Sequence, residues 1–184
     1  MSQSNILRQF PRVRIEIKPT KLIKGEVGLF AVRSIDKGSV IVGAKNYSNI
    51  KMLSREKLKT LDSITQKKIL GFCPSSPEGF DVPPDLNYIS IAWYMNHSCN
   101  PNVAFNNKYD FIALRKIKKG EELVWDYGYD ENNPTFKMNC VCGSNHCRKV
   151  ITGNDWKVLI KNENKYKNFS PKLKKFILQH KNIK

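Results

Sequence analysis

Asn96, His97, Ser98 and Cys99, in the stretch YMNHSCNPN (94–102), put an amide, an imidazole, a hydroxyl and a thiol on four consecutive residues. Three more thiols follow in CVCGSNHC, at Cys140, Cys142 and Cys147. Such residues can build a thiol nucleophile, hold a metal, or close a polar turn. As a nucleophile, Cys99 would need a distant histidine as its base, because His97 lies only two residues away and faces it poorly in an extended segment. As metal ligands, the three cysteines spaced C-x-C-x4-C can converge, since Gly143 permits the tight turn that returns Cys147. Structural zinc is four-coordinate and favours thiolate, so this cluster lacks one ligand. His146 adjoins Cys147, and adjacent side chains usually diverge. Cys99 is the better fourth ligand if the fold brings it near. A redox role for the cluster stays open. Cys73, after Gly71-Phe72, reads as a buried apolar thiol.

The elements that must position these groups are short. VRIEIK (13–18) alternates apolar and polar residues and predicts a strand; GLFAV (28–32) and SVIVGA (39–44) predict two more. Behind Ser54, a capping residue, Leu58, Leu61, Ile64, Ile69 and Leu70 recur near helical spacing, predicting one or two helices. CPSSPEGFDVPPD (73–85) reads as a long loop. FIALRKI (111–117) and LVW (123–125) predict strands joined by a turn at KKGEE. SPKLKKFILQH (170–180) has a serine cap, proline at the first helical position and Leu173, Phe176 and Ile177 on one face, predicting a terminal helix. Many short strands, a helical insert and a helical tail make a β-rich α+β chain without internal repeats.

The 184 residues suit one domain with an appendage or two small lobes, and an apolar fraction of 40% supports a core. The net charge of +16 favours a polyanionic partner, nucleic acid first; a scattered, solubilising lysine content is the plainer reading. Nine lysines face one acid, Glu163, between Lys157 and Lys184. No apolar run approaches the roughly 20 residues that span a bilayer, and the first 18 residues lack the apolar stretch of a secretory leader. Together with an odd cysteine count, this predicts a soluble, intracellular protein with no membrane partner and no disulfide framework.

In chain order, KGEVGLFAVRSIDKGSVI (24–41), NHSCNPN (96–102), IALRKIKKGEELVWDYGY (112–129) and CVCGSNHCR (140–148) resemble the SET-domain protein-lysine methyltransferases, including their cysteine-rich post-SET segment. The resemblance covers roughly residues 15–150. It implies the SET-domain fold of short curved β-sheets, with a helical insert and a C-terminal segment threaded under a loop as a pseudoknot. On that pattern residues 13–128 are the SET domain, with the insert at about 50–72. Residues 129–151 are the post-SET zinc segment, and 152–184 a lysine-rich helical tail.

The resemblance also implies roles. Lys24, Gly25, Glu26, Val27, Gly28 and Leu29 would contact S-adenosylmethionine (SAM), largely through backbone. Asn96 and His97 would hold its methionine and adenine ends. Tyr127 would stand at the site of methyl transfer, and Trp125 would help set how many methyl groups the amine receives. Cys99, Cys140, Cys142 and Cys147 would bind one structural Zn2+. The substrate would be a lysine in a protein, histone tails among them, and the basic tail offers a contact to nucleosomal DNA or a nuclear-import signal. Some residues depart from the pattern. The glycines at 25 and 28 are one residue wider than the usual Gly-x-Gly, Trp125 replaces a Tyr or Phe, and Arg148-Lys149 replaces Arg-Gly. That last change moves the apolar cover of the cofactor to Val150 or Ile151. An acidic groove from Glu78, Asp81, Asp85 or Glu131 would suit a basic substrate. The competing reading is a zinc-containing chromatin- or DNA-binding module without catalysis.

Overall fold

The computed structural model describes residues 12–47 and 50–180. Residues 1–11, most of the stretch read for a leader, and the tail lysines 181 and 184 lie outside them. The main sheet has seven short strands: β1 (Ile15–Pro19), β2 (Val27–Ala31), β3 (Val40–Val42), β7 (Asn96–His97), β8 (Val103–Phe105), β9 (Phe111–Ala113) and β10 (Glu122–Trp125). Their order is β1-β2-β10-β8-β9-β3, with β7 also paired to β10. β1 and β2 are antiparallel, Ile15 opposite Ala31 and Pro19 opposite Val27. β10 runs antiparallel to β2, with Leu123 opposite Leu29, and parallel to β7, with Val124 opposite Asn96 and Trp125 opposite His97. This register sets NHSC beside WDY, although the two motifs are far apart in sequence.

The predicted FIALRKI strand is shorter than its motif. β9 stops at Ala113, and Ile117 only bridges to Ile35. The loop predicted over 73–85 is half strand. β5 (Ser75–Ser76) and β6 (Gly79–Val82) join β4 (Lys51–Ser54) in a second sheet of order β4-β6-β5. The insert therefore opens on a strand and carries two helices, α1 (Arg55–Leu58) and α2 (Ser63–Phe72). Ser54 caps α1 by accepting from Lys57 N, as its sequence position predicts. Asp62, not predicted, caps α2 by accepting from the N–H groups of Ile64 and Thr65. Leu58, Ile69, Cys73 and Phe80 fill a small core of their own here. Burial pushes the Cys73 thiol up to about 11, in keeping with a packed, inert side chain.

The tail is no appendage. β11 (Lys137–Asn139) and β12 (Val150–Thr152) form a hairpin-like pair, followed by α3 (Trp156–Leu159), α4 (Glu163–Tyr166) and α5 (Pro171–Gln179). Ser170 caps α5 by accepting from Leu173 N, with Pro171 in its first turn. Leu159, Phe169, Leu173 and Ile177 are buried in the same core as Leu29, Phe105, Leu123 and Tyr129. The backbone locks them there: Ser170 N donates to Tyr129 O at 2.8 Å and Phe105 N to Asn168 O at 3.3 Å. Among the described residues, no helix is long and apolar enough to cross a membrane.

Candidate active site and thiolate cluster

Parallel pairing of β7 with β10 aligns Asn96 and His97 with the residues leading into Tyr127. The imidazole of His97 is buried, and its Nδ1 accepts the backbone N–H of Tyr127 at 3.1 Å. Desolvation pulls the His97 pKa down to about 4 against the opposing charge of Asp126, so the ring is neutral. With Nδ1 accepting, Nε2 carries the proton, and it lies 3.4 Å from Cys99 Sγ. The His97 and Tyr127 rings meet edge-on at 5.2 Å. The Tyr127 hydroxyl donates to Met95 O at 3.3 Å, and burial pushes it up to about 12. Trp125 packs against Phe105, Phe111 and Tyr127 at 5.2, 5.6 and 5.0 Å.

Asn96, Trp125 and Tyr127 line a cavity of about 830 Å³. Glu26 and Val27 form another part of its wall, and Phe72, Trp93, Tyr94 and Phe136 supply an aromatic lining. Lys24 and Gly25 are exposed on the preceding turn, and the Leu29 side chain is in the main core; none of the three lines the cavity. A Cβ at Gly28 would fall 2.2 Å from Glu122 Oε1 and 2.9 Å from Asn96 Nδ2, so any other residue there would displace these two side chains. Neither Val150 nor Ile151, predicted as cofactor cover, lines this cavity. Val150 is exposed, Ile151 is buried against the cysteines, and Phe136 is the residue of this segment that reaches the cavity. Asp81 and Glu131 line the cavity as an acidic groove requires, while Asp85 borders a separate hollow.

The sulfurs of Cys99, Cys140, Cys142 and Cys147 all lie within 4.8 Å of one another. Those of Cys99 and Cys140 are 3.9 Å apart, against about 3.8 Å for two corners of a tetrahedron with 2.3 Å zinc–sulfur bonds. Gly143 takes φ +67° in the turn that brings Cys147 back. Four thiols without a disulfide, backed by Ile151, Phe136 and Met138, fit a closed metal site. His146 is exposed and lies outside the cluster.

Two features of the site escape sequence reasoning. Arg148 grips the buried Asp126 with two nitrogens, at 2.7 and 2.5 Å, and pairs with Asp155 at 2.8 Å. Its backbone N–H also donates to Cys99 Sγ at 3.3 Å. One residue thus ties the thiolate cluster to the carboxylate that precedes Tyr127. The signal available was Arg148 directly after the last cysteine. The other feature is Glu122, which receives hydrogen bonds from Thr20 and Asn96.

The SET domain family description matches residues 26–128, more than half of the chain. The chain belongs to the SET-domain family. The matched span holds the paired β7 and β10 motifs and Cys99, and the other three cysteines follow it. Human histone-lysine N-methyltransferase 2B is 31% identical over 134 residues, covering 67% of this SET-domain chain and 5% of the relative. The Drosophila melanogaster histone-lysine N-methyltransferase trr is 42% identical over 66 residues, 32% of this chain and 3% of the relative. Drosophila histone-lysine N-methyltransferase Su(var)3-9 is 34% identical over 84 residues, 35% of this chain and 13% of the relative. The chain thus spans a small fraction of the length of these curated relatives.

Proposed function

We propose that this protein transfers a methyl group from SAM to the side-chain amine of a lysine in a protein substrate, a histone tail being the leading one. The observation that carries the proposal is the meeting of Asn96, Trp125 and Tyr127 in one cavity, beside a neutral His97. The names of the relatives support a histone substrate, which would place the protein on chromatin in the nucleus.

SAM supplies a methyl carbon activated by a sulfonium. In the reaction an N–C bond forms as the C–S bond breaks, and one proton leaves the amine to water. The protein's first task is to present that amine neutral. Free lysine titrates near 10.4, and an aromatic, desolvated channel disfavours the ammonium. Phe105, Phe111, Trp125 and Tyr127 provide such a lining. The second task is alignment. Tyr127 spends its only proton on Met95 O, so its lone pairs accept from the amine N–H and aim the nitrogen. The ordinary phenol, rather than phenolate, does this, since burial keeps the proton on.

The four thiolates would hold one Zn2+, whose role here is structural, because all four positions are taken by protein. The wall of the cavity includes Glu26, Asp81, Asp130 and Glu131 against one cation, Lys172. Burial raises the pKa of Asp130 and of Glu131, the latter to about 7, and Lys172 pairs with Asp81, so attraction for a basic peptide in a chain of net charge +16 rests on Glu26 and grows as Glu131 ionises. Three tail lysines are engaged internally, Lys172 with Asp81, Lys174 with Asn107 and Lys167 with Asn164, so a nucleosomal DNA contact would rest chiefly on the exposed Lys157, Lys161 and Lys175.

The deciding experiment incubates the zinc-loaded chain with labelled SAM and a panel of histones, nucleosomes and cell lysate. Label on a lysine is expected. A zinc-replete protein that binds no SAM and labels nothing would overturn the proposal in favour of a non-catalytic chromatin module. Trp125 is larger than the Tyr or Phe usual in the family and limits the methyl count by filling space. Mass spectrometry should find more highly methylated product with Trp125→Phe, and trimethylation by the wild type would reject this role.

A further inference from the structure

The carboxylate of Glu122 collects hydrogen bonds from two remote segments. The Thr20 hydroxyl donates to it, with its oxygen 2.9 and 2.8 Å from the two carboxylate oxygens, across 102 residues of sequence. Asn96 Nδ2 donates to Oε1 at 2.9 Å, across 26 residues. The other Nδ2 proton goes to Val27 O at 3.0 Å. A carboxylate and a carbonyl both only accept, so the nitrogen alone can occupy this place and the amide cannot be flipped. Oδ1 of Asn96 is thereby kept as the acceptor on a side chain that lines the cavity. The Thr20 hydroxyl in turn accepts from Leu22 N at 3.0 Å, and Thr20 N donates to Glu26 O at 3.0 Å. The carboxylate is therefore anchored to the turn that carries Glu26 and Val27. It also sits where any side chain at position 28 would go.

We propose that Glu122 is a positioning residue for the methyl donor: it fixes the Asn96 amide with its oxygen available to a donor group of SAM, and holds the Val27–Gly28 backbone against that site. The inference rests on the methyl-transfer reading above. Glu122 touches neither donor nor substrate; it acts through Asn96 and the β2 strand.

The test measures SAM affinity by calorimetry and separates KM for SAM from kcat, using the full zinc-loaded chain. Losing a charge-assisted hydrogen bond in Glu122→Ala should raise Kd and KM for SAM about tenfold or more. kcat at saturating SAM should fall far less than KM rises. Glu122→Gln keeps one acceptor oxygen and should recover part of the affinity. Thr20→Val, nearly isosteric, should shift KM in the same direction by about threefold, since it removes one of the carboxylate's anchors. These two milder variants carry the test if Glu122→Ala fails to fold. A merely structural role predicts a lower melting temperature and a smaller active fraction with KM unmoved, and that result would overturn the inference. So would SAM binding by Glu122→Gln and Thr20→Val within error of the wild type. A wild type that binds no SAM would instead overturn the methyl-transfer reading, and this one with it.

Discussion

Tyr127 has one hydroxyl proton, and Met95 O receives it. What remains for a substrate is an acceptor, so Tyr127→Phe should leave SAM affinity within about threefold while lowering kcat by about 100-fold, a typical loss for a positioned group at a proton-bearing centre. Steady-state kinetics with paired calorimetry measures both, and turnover surviving within about twofold would remove Tyr127 from the mechanism. Glu131, in the same cavity, behaves differently. Burial raises its pKa from 4.5 to about 7, helped by the nearby Asp130, against hydrogen bonds from Asn133 N and Ser75 Oγ that lower it. The folded chain therefore holds a proton that the unfolded chain releases above pH 4.5. Glu131's contribution to stability is greatest below that value, falls as pH rises toward 7, and is level beyond, a loss of about 3 kcal/mol. Urea denaturation at pH 5 and 7.5 should show this loss in the wild type and a smaller one in Glu131→Gln, which carries no titrating group. Equal losses in the two proteins would contradict the assignment.

Among the elements, the two-residue strand β7 has the most consequence. Its residues face β10 on one side, and Cys99, two positions on, reaches the thiolate cluster. Anything that frees Cys99 should loosen His97, whose Nε2 lies against that sulfur. Chelation of the metal is expected to lower the melting temperature and weaken SAM binding, both restored by added zinc. Circular dichroism melts and SAM titrations in matched samples check this, and an unchanged melt after verified metal removal would count against a structural site. The same elements show which parts were legible in the sequence. Caps at Ser54 and Ser170 were readable because capping involves neighbours three residues apart. Cys99 was readable as the fourth cysteine of the cluster because a four-coordinate metal site needs one ligand more than CVCGSNHC supplies. β5 and β6 were hidden inside a proline- and glycine-rich stretch. Their strand character comes from pairing, β6 with β4 and β5 with β6, which no local pattern encodes. The Arg148–Asp126 and Glu122–Thr20 contacts join residues 22 and 102 positions apart, and only the fold brings them together. Phe136, rather than Val150 or Ile151, reaches the cavity because β12 turns Ile151 inward against the cysteines.

At the scale of the molecule, the main core extends beyond the span that matches the family. The core begun by Leu29 and Leu123 is completed by Leu159, Phe169, Leu173 and Ile177. Fully burying such a side chain contributes about 2 kcal/mol, so four contribute about 8 kcal/mol, comparable to the whole stability of an ordinary domain. A variant ending at Thr152 should therefore show no cooperative melting transition, and Leu173→Ala should cost about 3 kcal/mol in urea denaturation. A truncated chain that melts like the full one would refute this view of the tail. The same closure has a consequence for biosynthesis. Leu29 leaves the ribosome roughly 140 residues before Phe169, an interval of about ten seconds at ordinary translation speeds. During that interval the inner face of β2 has no partner from the tail. The nascent polypeptide must travel with this greasy surface uncovered or shielded by a chaperone, and slow codons between positions 130 and 170 would lengthen its exposure.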